Sequence, residues 1–141
     1  MAKFERTAAA PLLALNFVLY VVLLGFASWC LNRYIDGANH HLGGNGATVL
    51  LLTFAILAAV VGIAAKVAAG NHARTWKAEH ISAAVATELV AWAITALAFG
   101  FACKEIHIGG HRGWRLKVVE AFTIILTFTQ LLYLLFIHAL D

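Results

Sequence analysis

The sequence is poor in charge, since only 12% of its 141 residues are Asp, Glu, Lys or Arg. A soluble globular domain carries roughly a quarter of such residues, so the composition argues against a chain that folds in water. Proline occurs once, and 62% of the residues are hydrophobic. A chain of this hydropathy belongs in lipid. It also lacks a solvated basic patch with interleaved aromatics, so we expect no nucleic-acid partner.

Motifs that carry chemistry are also missing. The sequence has no phosphate-binding loop, no nucleophile elbow and no acid/base pair of carboxylates, so we expect no catalytic residues and no enzyme. His107 and His111 are four residues apart, but Gly109 and Gly110 lie between them and oppose a helical ligand pair. A membrane haem needs paired histidines inside spans, and His138 is the only histidine near one. We therefore expect no metal and no cofactor.

Four long apolar runs are present, at residues 8–31, 46–66, 81–103 and 116–139. Each exceeds the ~17–20 residues that cross a hydrocarbon core, and a bilayer offers no partners to open backbone groups. The sequence therefore predicts an all-α integral membrane protein, one domain over residues 1–141, built as a bundle of four transmembrane helices with short loops. The first run is too long for a signal-peptide core, so we interpret it as an uncleaved span.

An even number of spans places both termini on the same side. Basic residues divide five to five between the two sides, so the positive-inside count does not decide the orientation. Lys3 and Arg6 flank the first span and favour cytoplasmic termini.

Residues 100–120 join the third and fourth spans in a short basic segment that Gly109 and Gly110 prevent from being one helix. Trp114 stands beside its cations, as aromatic residues do at a membrane boundary. The basic residues are either interfacial anchors or a positive vestibule that concentrates anions.

The fourth span carries a polar stripe on one helical face, made of Glu120, Thr123, Thr127, Gln130 and His138. Polar groups avoid lipid, so this face is predicted to point into the bundle. Its candidate partners are Asn16 on the first span and Glu88 with Thr95 on the third. The stripe serves either as interhelical hydrogen bonding or as the lining of a path for a polar solute.

Glu88 lies two turns inside the third span. It either reaches the interface or pairs with Lys66 or His80, and a proton relay is the functional alternative.

Small residues recur at helical spacing on the second and third spans, where they allow a neighbouring helix to approach closely.

Cys30 and Cys103 both end odd-numbered spans, so they lie on the same side at similar depth. They are either a candidate disulfide between two outer loops or two separate buried thiols.

Several stretches together cover nearly the whole chain: APLLALN (10–16), GFASWCLNRYI (25–35), GNGAT (44–48), GNH (70–72), AWAITALAFG (91–100), ACKEI (102–106), RGWRL (112–116) and TQLLY (129–133). In these stretches the sequence resembles the plant AWPM family of abscisic-acid-induced wheat plasma membrane polypeptides. The resemblance implies a four-span plasma-membrane protein made under drought, cold, salt or abscisic-acid signalling and in maturing seeds. For at least some members it also implies abscisic acid influx.

Two functions follow as expectations. In the first, abscisic acid is taken up across the bilayer without any catalytic step, and a homo-oligomer or larger membrane-protein complex encloses the solute. The residues predicted to capture its carboxylate and then line its path are Arg33, Lys104, Arg112, Arg115 and Lys117, followed by Thr123, Thr127, Gln130 and Asn16. In the second, the protein is a non-transporting structural or accessory subunit, for which the sequence features are small-residue faces, short loops and the lack of a deep charge pair.

Overall fold

The computed structural model describes the backbone of residues 2–35, 46–73, 78–110 and 113–139, and the side chains of residues 10–35, 46–68, 85–110 and 113–136. Within these ranges the chain forms four helices and no strand. They are α1 (Ala2–Ile35), α2 (Thr48–Ala73), α3 (Ala78–Ile108) and α4 (Trp114–Ala139).

Each helix contains a segment that is long and apolar enough to cross a membrane. These segments are Ala10–Ile35, Thr48–Ala68, Val85–Ile108 and Trp114–Phe136. The prediction of an all-α chain with four helices long and apolar enough to cross a membrane is therefore confirmed for the described residues, whereas cytoplasmic termini remain a prediction.

The end of α3 follows from two glycines. Gly109 and Gly110 have φ angles of 76° and 86°, which side chains with a Cβ rarely adopt. The Gly109 amide donates to the carbonyl of Glu105 at 3.0 Å and caps the last turn. The break predicted at these glycines is confirmed, and the first part of the basic segment belongs to α3.

Each helix packs on its neighbours in the chain, and α4 packs back on α1 to close the bundle. The helices alternate in direction. One end of the bundle, called the terminal end here, holds the starts of α1 and α3 and the ends of α2 and α4. The opposite end, called the loop end, holds the ends of α1 and α3 and the starts of α2 and α4.

Small residues line the contacts inside the bundle, as predicted. Ala55, Ala58 and Ala59 of α2 and Ala91 and Ala98 of α3 are completely buried. Large apolar side chains instead cover the outside. Those at least half exposed are Val18, Ile35, Val60, Val67, Leu89, Val90, Leu97, Trp114, Phe128 and Leu135. An apolar surface of this kind suits lipid rather than water.

Cys30 is buried and Cys103 is exposed, and both are free thiols. The candidate disulfide between them is therefore absent from the structure. The reason is the arrangement of the bundle, because α1 and α3 lie diagonally and no residue pair between them comes within 8 Å Cα–Cα among the described residues. A disulfide needs its Cα atoms within about 7 Å.

Candidate functional site

One buried polar residue from each helix meets inside the bundle near the terminal end. These residues are Asn16 from α1, Lys66 from α2, Glu88 from α3 and Gln130 from α4, and we call them the polar node. Three are completely buried, and Lys66 is 3% exposed. Because every helix contributes one member, the node depends on the whole bundle.

Lys66 and Glu88 form a salt bridge within the node. The Lys66 Nζ atom donates to Glu88 Oε2 and to Gln130 Oε1, both at 2.6 Å. The same Nζ atom lies 4.0 Å from the centroid of the Tyr133 ring. Two hydrogen bonds and one aromatic face therefore surround the ammonium group, which replaces part of the hydration that the charge loses on burial.

Gln130 connects the salt bridge to α1. Its Nε2 atom donates to Glu88 Oε2 and to the backbone carbonyl of Glu88. Its Oε1 atom accepts from Asn16 Nδ2 at 3.2 Å as well as from Lys66. Asn16 Nδ2 also approaches the Thr129 carbonyl, at 3.3 Å. The predicted pairing of Asn16 with the α4 stripe is thus confirmed.

Two acceptor atoms of the node have no hydrogen-bond partner among the described residues, namely Glu88 Oε1 and Asn16 Oδ1. Both are buried. Leaving such atoms without a partner in a low-dielectric interior costs about 1–3 kcal/mol each. The node therefore retains unused capacity to accept a proton or a donor group.

A second hydrogen-bonded pair crosses the bundle diagonal. The oxygen atoms of the Tyr20 and Thr95 hydroxyls are 2.9 Å apart. The Thr95 hydroxyl lies 2.7 Å from the Ala91 carbonyl, to which it donates its proton, so Tyr20 is the donor to Thr95. The pair ties α1 to α3, although their backbones are not in contact.

The threonines of the predicted α4 stripe do face the interior, but their own helix satisfies their hydroxyl donors. Thr123 donates to the Val119 carbonyl and Thr127 to the Thr123 carbonyl, each at 2.8 Å. Trp92 of α3 also donates to the Thr127 carbonyl, at 3.0 Å. The stripe is therefore a row of bonded hydroxyls whose remaining capacity is to accept.

Aromatic and basic side chains gather at the loop end. The guanidinium carbons of Arg33 and Arg115 lie 5.2 Å and 4.2 Å from the centroid of Trp29, and Arg115 lies 4.4 Å from Trp114. We call these four residues the arginine–tryptophan cluster. It brings two of the predicted capture residues together.

Two of the other predicted capture residues, Lys104 and Lys117, are not among the cations stacked on these tryptophans. Lys104 and Lys117 are exposed, and Arg112 lies outside the described residues. Fifteen residues of α4 separate Arg115 from Gln130, which is about 22 Å along a helix. The predicted site residues therefore divide between the two ends of the bundle, with the threonine row between them.

Residues 14–140 match the AWPM-19-like family. The chain belongs to that family. It is similar to a rice protein (Oryza sativa subsp. japonica) named membrane protein PM19L, with 61% identity over 140 residues. The match covers 98% of this chain and 81% of the relative. No solved structure matches the chain.

Two buried charged residues of this AWPM-19-like protein, Lys66 and Glu105, were not predicted as site residues from the sequence. Lys66 was placed at the end of a span and named only as a partner for Glu88; that pairing is confirmed, and the expectation that the chain lacks a deep charge pair is wrong. Glu105 was overlooked, yet it is buried and accepts from the Thr48 hydroxyl at 2.8 Å. In both cases the available signal was a charged residue on the same helical face as buried alanines, such as Ala59 and Ala98.

Proposed function

We propose that this AWPM-19-like protein is a non-enzymatic plasma-membrane protein of the plant stress and abscisic-acid response that facilitates abscisic acid influx. Abscisic acid is a weak acid with an apolar ring, and its carboxylate does not enter hydrocarbon without a compensating charge. The observation that carries the proposal is Lys66, a cation buried inside the bundle and hydrogen-bonded to Glu88 and Gln130.

The proposed route begins at the arginine–tryptophan cluster. Arg33 and Arg115 stack on Trp29, so each guanidinium keeps N–H edges that suit a carboxylate. Lys104 and Lys117 add positive charge at the same end, and Arg112 belongs to the sequence that joins α3 to α4. These charges raise the local concentration of anions.

From this cluster the solute follows the α4 face. Thr123 and Thr127 lie between the loop end and the polar node, and their oxygens accept hydrogen bonds from a protonated acid. Gln130 and Asn16 then lead to Lys66. Passage of a ring along so tightly packed a bundle requires the helices to separate or a second copy of the chain to complete the path, so we include a homo-oligomer in the proposal.

The orientation of the route follows from the termini. With Lys3 and Arg6 on the cytoplasmic side, as the sequence favours, the loop end faces the exterior. The arginine–tryptophan cluster then meets the solute before the polar node does, which suits influx.

A second candidate is a non-transporting structural or accessory subunit that stabilises the membrane under osmotic stress. The node favours it in one respect, because one side chain from each helix takes part and the two charges neutralise each other. Such a network can lock a bundle without moving a solute.

Uptake of radiolabelled abscisic acid into proteoliposomes distinguishes the two candidates. We expect saturable uptake by the wild type above protein-free liposomes. Gln130→Leu and Arg115→Gln each remove interactions made by or with a charged group, so uptake at low solute concentration falls about 10-fold or more.

Thr53→Val is the matched control for this assay. Thr53 is exposed on the outside of α2 and donates to the Val49 carbonyl of its own helix, so we expect wild-type uptake from this variant. Absence of saturable uptake by the wild type, or full uptake by both substituted variants, contradicts the route and favours the structural role.

A further inference from the structure

We infer that the polar node binds one proton and one carboxylate anion together, with the proton on Glu88 and the anion on Lys66. The two together amount to one molecule of a neutral weak acid crossing the membrane. The inference rests on the proposed function and deepens it. It names the class of solute as monocarboxylic acids and the coupling as proton symport.

The net charge of the node favours joint entry of a proton and an anion. The described members of the node carry one positive charge, on Lys66, and one negative charge, on Glu88, at a distance of 2.6 Å. An anion added to this neutral pair leaves a net negative charge in a low-dielectric interior, which is strongly unfavourable. A proton added to Glu88 leaves Lys66 as an unbalanced cation, and a carboxylate then restores neutrality.

The geometry of Glu88 supplies a position for that proton. Its Oε2 atom accepts from both Lys66 and Gln130, whereas its Oε1 atom is buried without a hydrogen-bond partner among the described residues. A proton can form an O–H bond at Oε1 while the Gln130 hydrogen bond to Oε2 remains. Asn16 Oδ1 is a second buried acceptor without such a partner in the same node.

The step balances without any oxidant or reductant. The protonated acid transfers its proton to Glu88, so its own O–H bond breaks as the O–H bond at Glu88 forms, and the salt bridge to Lys66 weakens because the Glu88 carboxyl is now neutral. Lys66 exchanges that contact for the carboxylate of the solute. On the other side of the membrane Glu88 loses the proton to water, the Lys66–Glu88 salt bridge forms again, and the anion leaves.

The exchange of proton and anion involves only Lys66 and Glu88, because the neighbouring titratable groups already have other contacts. Among the side chains that the structure describes, Lys66 from α2, Tyr20 from α1 and Tyr133 from α4 are the titratable groups that interact with Glu88. Tyr20 uses its proton in the hydrogen bond to Thr95, and the ring of Tyr133 faces the Lys66 ammonium. Asn16 and Gln130 are neutral amides.

Glu88→Gln tests the inference, because glutamine resembles the protonated acid permanently. Its amide oxygen can take the position of Oε2 and its nitrogen that of Oε1, so the two hydrogen bonds to Oε2 survive. In proteoliposomes we expect this variant to keep saturable exchange of labelled for unlabelled abscisic acid. Net uptake driven by an inward proton gradient, and the accompanying pH change inside the vesicles, are lost. Thr53→Val, on the exposed side of α2, is the control and keeps both activities.

The possible results separate the inference from the proposed function. A wild type without saturable uptake contradicts the proposed function, and the inference falls with it. If the wild type takes up the acid but Glu88→Gln responds to the proton gradient as the wild type does, the inference alone is overturned. Loss of exchange together with net uptake in Glu88→Gln, in protein that remains folded by circular dichroism, also overturns it, because Glu88 then acts in binding rather than in coupling.

Discussion

Lys66 is the residue on which the interior of the bundle depends most. Its ammonium contacts α3 through Glu88 and α4 through Gln130 and Tyr133, while being 3% exposed. A buried salt bridge is weak evidence for stability, because desolvation opposes the attraction between the charges. Removing one partner is a different matter, because the remaining charge is then buried without compensation. This asymmetry allows the pair to be tested for its structural role.

We expect Lys66→Met to destabilise the bundle by about 3–5 kcal/mol, because Glu88 is left as an unpaired carboxylate. The double variant Lys66→Met/Glu88→Leu removes both charges and should regain most of that free energy. Unfolding in mixed micelles by titration with a denaturing detergent measures both variants against the wild type. Lys104→Met, at an exposed position, is the control and should be unchanged. A single variant as stable as the wild type contradicts this account of the pair.

For individual side chains, the sequence predicted which helical faces carry polar residues but not how those residues are hydrogen-bonded. The spacing of Glu120, Thr123, Thr127 and Gln130 places them on one face, and all four are buried. The helical period does not indicate that Thr123 donates to its own helix while Gln130 reaches three others. Those outcomes depend on the relative rotation and depth of neighbouring helices, which one sequence does not contain.

A single glycine, Gly62, permits the close contact between α1 and α2. A Cβ atom on Gly62 would lie 2.6–2.8 Å from three ring atoms of Tyr20, closer than real Cβ atoms approach. The Tyr20 ring is completely buried and hydrogen-bonded to Thr95, so it has little freedom to move away. Gly62 therefore sets how closely the two helices pack and where the Tyr20 hydroxyl lies.

Gly62→Ala should destabilise the bundle by about 1–3 kcal/mol, as overpacking of a core does. Gly25→Ala is the matched control, because a Cβ there meets nothing within 4 Å. Alanine favours a helix more than glycine does, so the control should be neutral or slightly stabilising. Thermal unfolding in detergent, followed by circular dichroism, compares the two. Equal midpoints for both variants would contradict the contact described between Gly62 and Tyr20.

The elements themselves were largely predictable. Apolar runs longer than a bilayer is thick predict membrane helices because lipid offers the backbone no other partners. Gly109 and Gly110 predict the end of α3 for a similarly local reason. The candidate disulfide did not follow in the same way. Parity placed Cys30 and Cys103 at the same end, but it contained no information that α1 and α3 lie diagonally.

For the whole molecule, four helices of alternating direction place the arginine–tryptophan cluster and the polar node at opposite ends. The threonine row of α4 lies between them, and the outside is apolar. This arrangement gives a small protein one cationic site at the loop end and a neutral ion pair inside the bundle. The proposed path for a weak acid requires both sites, whereas a structural subunit requires only the interhelical bonds.

The most direct test of the account is saturable uptake of abscisic acid by the double variant Lys66→Met/Glu88→Leu. This variant is expected to remain folded, so its activity separates a binding site from an interhelical lock. We predict that its saturable uptake falls to the level of protein-free liposomes while its unfolding midpoint stays near that of the wild type. Saturable uptake equal to the wild type would contradict the claim that the polar node is where the solute binds.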